Sequence, residues 1–514
     1  MLTYHGTRMY RQSHVNGSLP SHTEIAIVGT GFAGLGMAMA LGRAGFHDFV
    51  LLERADDLGG TWRDNHYPGC ACDIPSVLYS WSDEQNPRWT RAFANAQEIW
   101  SYMREVAERH RLGERIRFNH EALAARWDED HERWEIETSQ GSLTADVLIS
   151  GAGGLSEPAI PPLPGLDRFR GKIFHSARWD HGYDLDDREV AVIGTGASAI
   201  QFVPEIQPRV RKLHLFQRTP PWVLPRANPR IPRRWQRRFE RHPRLLDGVR
   251  RLVFALFESF HAAFTHPRLM KLSERRARRH IASQVPDPAL RARLTPNYRL
   301  GCKRILGSND WYPALCQENV EVVTAGIREV TPEGIIDADG VEHRVDAIIF
   351  GTGFRITDQP IAQRVTGRHG RTLDECWAGS PQAHLGVAVN GFPNFFILLG
   401  PNTGLGHNSV LLMIEAQVEY LVQALSYRRS LGSVALEPRA EEQARFVAEV
   451  DEGTRGSVWT AGGCLSWYVD STGRNSTLWP GTVRAYQRRL AHFVAAEYEV
   501  HAPRPARERL PAAA

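Results

Sequence analysis

The sequence predicts an α/β fold that carries one βαβ unit twice, and three observations predict it. A short apolar strand runs into Gly-x-Gly-x-x-Gly and then an apolar helix at 24–54, and into Gly-x-Gly-x-x-Ala at 189–219. A second pair of segments also repeats: ADVLISGAG (145–153) and VDAIIFGTG (345–353) are each an apolar strand ending in a Gly-x-Gly turn. Between these copies the composition shifts, to proline at 155–166 and to arginine at 226–300.

In the first unit, a buried strand at 25–28 enters Gly29, Thr30, Gly31, Phe32, Ala33 and Gly34. Gly29 permits the tight turn, Gly31 lets backbone approach a pyrophosphate, and Gly34 lets the helix pack on the strand. The second strand, at 49–52, ends in Glu53, placed to accept hydrogen bonds from a ribose 2′-hydroxyl and to repel a 2′-phosphate. In the second unit, a strand at 190–193 enters Gly194, Thr195, Gly196, Ala197, Ser198 and Ala199, with Gln201 close behind in the helix. Its partner strand at 213–216 ends in Gln217, Arg218 and Thr219, where an arginine suits a 2′-phosphate. The first unit is therefore expected to hold FAD and the second NADPH.

The order of segments predicts two Rossmann-like dinucleotide-binding domains, the second inserted in the first. The FAD-binding domain takes 22–158 and 355–514, and the NADPH-binding domain 159–225 and 298–354. A proline-rich linker lies at 155–181, a helical insertion at 226–297, and a mobile tail at 1–21. The strands at 145–153 and 345–353 are each expected to close one of the two sheets. Segment 226–300 holds 18 Arg and 1 Lys against 5 acids, a surplus of 14 that leaves the rest of the chain at −10. Apolar residues recur there at helical spacing. A solvated basic helical face is the simplest reading; nucleic acid or anionic lipid is the alternative partner, and no aromatic or repeated pattern supports a nucleic-acid module.

Composition narrows the class. With 42% hydrophobic and 23% charged residues the chain reads as globular. Its longest apolar stretches, at 252–257 and 395–399, fall short of the roughly 20 residues a bilayer span needs, so no integral membrane association is expected. The N-terminus has no apolar signal core. Six cysteines (70, 72, 302, 316, 376 and 464) form no CxxC pair and suggest no metal, and they read as reduced thiols in a cytoplasmic protein.

Two dinucleotide sites suggest electron flow from NADPH to a flavin. Cys70 and Cys72 have the wrong spacing for a disulfide reductase, which leaves molecular oxygen as the acceptor. The segment FRGKIFHSARWD (169–180), through Phe169, Gly171, His175, Trp179 and Asp180, resembles the fingerprint of the type I Baeyer–Villiger monooxygenases, class B flavoprotein monooxygenases. The related amine- and sulfide-oxygenating flavin enzymes end this motif in Tyr and are the alternative reading. The resemblance runs from about residue 22 to 490. It implies conversion of a small-molecule ketone and O2 to an ester or lactone through a C4a-peroxyflavin. It further implies Gly60, Thr61, Trp62 and Tyr79 beside FAD, Asp73 near the reactive ring and Lys303 on the NADPH 2′-phosphate with Arg218 and Thr219. Arg304 is implied as the fixed cation at the flavin, gripped by Asp73, and Trp467 as the side chain closing over the nicotinamide. His175 is expected to couple the domains. The segment after Trp467, VDSTGRNSTLWPG, departs from the cyclohexanone-type pattern, and nothing indicates which ketone is used or the oligomeric state.

Overall fold

A computed structural model describes residues 18–501 apart from 267 and 359. The first sheet is built on segments with little to offer water. Phe49–Leu52 and Phe395–Ile397 are buried throughout, and Gly141–Ser150 over its last four residues. Strands covered on both faces must be apolar on both. Five strands run parallel in the order Ile116–Arg117, Phe49–Leu52, His22–Val28, Gly141–Ser150, Phe395–Ile397. The first half of Gly141–Ser150 also pairs antiparallel with Arg133–Thr138, which pairs with Ala122–Asp128. The helix Phe32–Arg43 packs against the long helix Val410–Ser430 on this sheet, in a core of residues such as Leu35, Met413 and Leu421.

The second sheet repeats the pattern. Val320–Val323, Lys212–Phe216, Glu189–Ile193, Ala347–Phe350 and Lys172–His175 lie parallel in that order. An antiparallel meander (Ile327–Thr331, Gly334–Asp337, Glu342–Arg344) precedes Ala347–Phe350, as the Ala122–Thr138 hairpin precedes Gly141–Ser150. Helices Arg233–Arg241, Pro243–Ser259, His261–Thr265, Met270–Gln284 and Pro288–Arg293 intervene. The buried Arg250 fastens them to the first unit by donating to the Val77 carbonyl at 2.6 Å and to Ser80 and Ser82. Among the described residues no helix is long and apolar enough to cross a membrane.

Four expectations need correction. The strands ending at Ser150 and Phe350 do not close their sheets; a further strand lies outside each, Phe395–Ile397 and Lys172–His175. Their glycine turns instead pack on the fingerprint turns. Gly29 and Gly194 have φ of +96° and +107°, and a Cβ there would lie 2.8 and 2.5 Å from the Gly151 and Gly351 carbonyl oxygens. Second, Lys172–His175, expected within a linker, is the edge strand of the second sheet. The proline-rich run before it has neither helix nor strand until the 3₁₀ turn Leu166–Arg168. Third, of the tail, residues 1–17 lie outside the described residues, but 18–21 are anchored: the Ser21 carbonyl accepts from Thr144 N at 3.0 Å, and Leu19 packs on the sheet. Fourth, the cysteines are not all thiols. Cys302 and Cys464, 162 residues apart, form a disulfide. The fold brings their segments together, with Arg299 N donating to the Gly462 carbonyl at 2.9 Å, a proximity that spacing along the chain does not reveal.

Candidate active site

Each glycine fingerprint opens a helix whose N-terminal amides have no side-chain cap and no acid in the first turn. Such an end attracts anions. A Cβ at Gly31 would meet only Gly60 Cα at 4.0 Å, and one at Gly196 only the Gly351 carbonyl oxygen at 3.8 Å. Packing within the chain does not require glycine at either place. A phosphate approaching the backbone does, so both turns fit a dinucleotide. Gly34, by contrast, is fixed by packing: a Cβ there would overlap the Gly29 carbonyl oxygen at 1.9 Å. Phe32 and Ala33 are buried in the helix start, and Ala199 serves as the close-packed residue of the second copy. Thr195 donates to the Thr219 carbonyl at 3.1 Å, while Gly196, Ala197 and Ser198 line the open turn.

Glu53 is buried at the tip of its strand. One carboxylate oxygen accepts from Thr30 N and Oγ1 at 3.1 and 2.5 Å, the other from Ala55 N and Arg63 at 3.0 and 2.9 Å. Neither Thr30 nor Arg63 was singled out from sequence. Beside them a cleft of about 680 Å³ opens between loop 54–66 and segment 177–181, lined by Arg54, Arg63 and Arg178 against the single acid Asp64. Gly60 precedes the short helix Thr61–Asp64, and Trp62 donates from Nε1 to the Tyr79 hydroxyl at 3.1 Å. Tyr79 in turn meets Phe32 edge-on at 5.2 Å. The structure thus gathers Gly31, Phe32, Gly60, Trp62 and Tyr79 along one side of the first turn.

Arg218 and Lys303 come together at the second turn. Burial and the Arg218 charge push the Lys303 ammonium below its usual range, and Nζ sits 5.2 Å from the Tyr298 ring centre. Among the described residues no carboxylate lies within ion-pair distance of either cation. Two unpaired neighbouring cations make an anion site.

The next residue, Arg304, points to the first unit. Its Nε and Nη2 donate to the two Asp73 carboxylate oxygens at 2.7 Å each, across 231 positions of chain. Burial alone would raise the Asp73 carboxyl, but the Arg304 charge and hydrogen bonds, with Arg226 behind, hold it below the usual carboxylate range. The Asp73 charge likewise raises Arg304. Arg226 donates to the Cys72 carbonyl, and burial with the Arg304 charge nearby leaves the Tyr468 hydroxyl at about 12. Sequence reasoning missed both, although Tyr468 follows directly on Trp467. Trp467 is exposed and packs edge-on against Tyr468 at 4.4 Å. Cys70 and Cys72 are free but buried, and burial pushes the Cys70 thiol up to about 12 and Cys72 higher, against nucleophilic use.

Gln201, expected at the second turn, bridges to the first unit. Its side chain accepts from the Tyr67 hydroxyl at 3.0 Å and from Ala71 N, and donates to the Ala71 carbonyl at 3.0 Å. It straps the second unit to the loop that carries Asp73. The fingerprint segment lies against the same helix. Trp179 packs on Phe174 and Phe202 at 5.2 Å each, Phe169 is buried, and Gly171 fits only because a Cβ would strike the Asp346 carbonyl oxygen. Asp180 pairs with Lys172 at 2.5 Å. His175 ends the edge strand; its Nδ1 accepts from Ala177 N at 3.1 Å, and its Nε2 is buried. Burial outweighs a hydrogen bond to the Gly353 backbone and, with the Arg178 charge adding to it, pushes His175 down to about 4, so the ring is neutral near pH 7.

His214, Glu321 and His343 also gather, on the second sheet. Their polar atoms are already engaged: the two rings meet at 3.2 Å, His343 with Asp337 at 3.0 Å, and Glu321 with Lys212 at 3.0 Å. The Lys212 charge on Glu321 opposes a cation there.

Comparison with known proteins agrees with this geometry. Residues 26–241 match the family described as pyridine nucleotide-disulphide oxidoreductase. A Baeyer–Villiger monooxygenase of Streptomyces coelicolor is 50% identical over 487 residues, covering 94% of each chain. One of Pseudomonas aeruginosa is 49% identical, covering 93% of this chain and 92% of its own. The crystal structure of cyclohexanone monooxygenase from Rhodococcus sp. Phi1 bound to NADP+ superposes with a TM-score of 0.85 at 28% identity, covering 94% of this chain and 100% of that one. With its paired dinucleotide folds and this extent of identity, the chain belongs to the Baeyer–Villiger monooxygenases.

Proposed function

We propose that this chain, loaded with FAD and NADPH, inserts one oxygen atom of O2 beside the carbonyl of a small-molecule ketone, giving an ester or lactone. The Asp73–Arg304 pair carries the reading. When bound, NADPH would supply through FAD the two electrons that activate O2, one oxygen atom entering the ketone and the other leaving as water. The first turn, with Gly29, Gly31, Gly60, Trp62 and Tyr79, holds FAD. The second, with Gly194, Gly196, Thr219, Arg218 and Lys303, holds NADPH, the two cations taking its 2′-phosphate.

Addition to a ketone carbonyl leaves negative charge on the substrate oxygen, and that charge needs a fixed donor. Arg304 meets the need because its charge is permanent and its plane is set by two parallel hydrogen bonds to Asp73. Its side chain remains 39% exposed, and Nη1 donates to none of the described residues. Those N–H groups are left for the reacting oxygen. Asp73 orients the guanidinium and, being held below the usual carboxylate range, stays ionised at neutral pH. Trp467 closes over the nicotinamide, and Gln201 fixes the Asp73 loop. The test is a panel of linear, cyclic and polycyclic ketones mixed with the flavin-loaded protein and NADPH. Ketone-stimulated NADPH oxidation matched by ester is expected; oxidation of sulfides or amines alone would overturn the reading.

A further inference from the structure

The arginine-rich insertion has a second character that the chemistry leaves unused. Helix Pro243–Ser259 and the residue after it expose Leu252, Leu256 and Phe260 by 72%, 55% and 48%, at spacings that place them on one stripe. After a short helix the chain exposes two more leucines, Leu269 and Leu272, by 56% and 72%. Soluble surfaces rarely leave such residues together without a use. The opposite side of this hairpin is already committed: Phe264 stacks on Trp459 at 5.7 Å, and Phe264 and Met270 press on Gly301 beside Cys302. The leucines therefore face away from a packed core.

The unpaired charges around them have one sign. Arg251, Arg268, Lys271, Arg275 and Arg276 are exposed. The acids of the stretch are otherwise engaged. Asp247 pairs with Arg251 at 2.8 Å. Glu258 turns inward to Asn408 and Arg484 N at 3.1 and 3.0 Å, and the buried Glu274 accepts from Leu300 N at 3.2 Å. An apolar stripe rimmed by arginine and free of unpaired carboxylate is complementary to an anionic lipid surface.

We propose that the outer face of residues 243–276 docks this protein on the surface of anionic bilayers, the leucines entering the interface and the arginines meeting headgroups. Other occupants match less well. A second copy would bring like charges together. Residues 1–17 and 502–514 are themselves basic, with Glu508 their single acid. Nucleic acid would leave the leucines in water. The inference is independent of the ketone reading, because docking needs no turnover.

The experiment sediments the full-length, FAD-loaded protein with vesicles of phosphatidylcholine alone and of phosphatidylcholine with phosphatidylglycerol. Binding is expected to the mixed vesicles, to weaken with salt, and to be at least about tenfold lower on phosphatidylcholine alone. Leu252→Asp with Leu256→Asp should weaken it by about tenfold per leucine, and Arg275→Gln with Arg276→Gln by about fivefold per arginine. Flavin content and NADPH oxidation in the absence of vesicles should be unchanged in both variants, which shows that they fold. Equal binding to both vesicle types, or leucine variants that bind as the parent does, would overturn the proposal. So would a parent that is dimeric in light scattering and becomes monomeric in the leucine variant, because the face would then belong to a second copy.

Discussion

Arg304 holds a charge that no physiological pH removes, and its partner Asp73, held below the usual carboxylate range, is ionised at neutral pH. Arg304→Ala should keep FAD and NADPH bound yet lower ester formation by on the order of 100- to 1000-fold, the typical cost of one preorganised donor. Arg304→Lys should rescue little, since an ammonium lacks the fork that the two 2.7 Å bonds to Asp73 require. Stopped-flow reduction by NADPH and product analysis check both. Lys303→Ala should raise the KM for NADPH roughly tenfold or more, with a smaller effect on kcat, as loss of uniform binding does; equal use of NADH by the parent would contradict the assignment. The glycine turns and Arg218 were legible in sequence because they are local, whereas Lys303, Arg304 and Asp73 were singled out through the family resemblance. Their supports were not. Thr30 and Arg63 on Glu53, Arg226 behind Asp73 and Tyr468 near Arg304 act across contacts that no spacing encodes.

At the scale of elements, the βαβ duplication and both fingerprint helices could be read from apolar periodicity and glycine. The edge strands could not. Lys172–His175 is short, lies beside a proline-rich run and pairs with a strand 175 residues later, Ala347–Phe350, so it reads as linker until the sheet is assembled. From its place we infer a mechanical role for the fingerprint. Trp179 packs on Phe202, Phe202 meets Tyr67 at 6.0 Å, and Tyr67 bonds Gln201, which straps the Asp73 loop. Gln201→Ala should therefore slow turnover by roughly ten- to a hundredfold while FAD stays bound, because small displacements at a reacting centre are costly. Unchanged turnover would remove Gln201 from the mechanism. The disulfide ties the Lys303-Arg304 segment to the Trp467 segment. Peptide mapping without reductant should recover residues 302 and 464 in one linked species, and reduction should lower the unfolding free energy read from urea titration by on the order of 3 kcal/mol. Separate peptides would contradict the bond.

For the whole molecule, burial decides the response to acid. His175 and His384 are pushed by burial to about 4, against about 6.5 in an unfolded chain. Between those values the unfolded state binds more protons, so stability is full above the upper value and falls as pH drops towards the lower. The urea midpoint should decline over that window, and His384→Gln, if it folds, should flatten the decline; a midpoint constant through it would contradict the buried neutral rings. The central claim is that the Asp73–Arg304 pair, assembled from two dinucleotide domains, directs oxygen from O2 into a ketone. Turnover under isotopically labelled O2, with the ester analysed by mass spectrometry, tests it most directly. The parent should place one labelled atom in each ester molecule, and Arg304→Ala should oxidise NADPH with almost no labelled ester. Ester without label, or labelled ester formed by Arg304→Ala at the parent's rate, would contradict it.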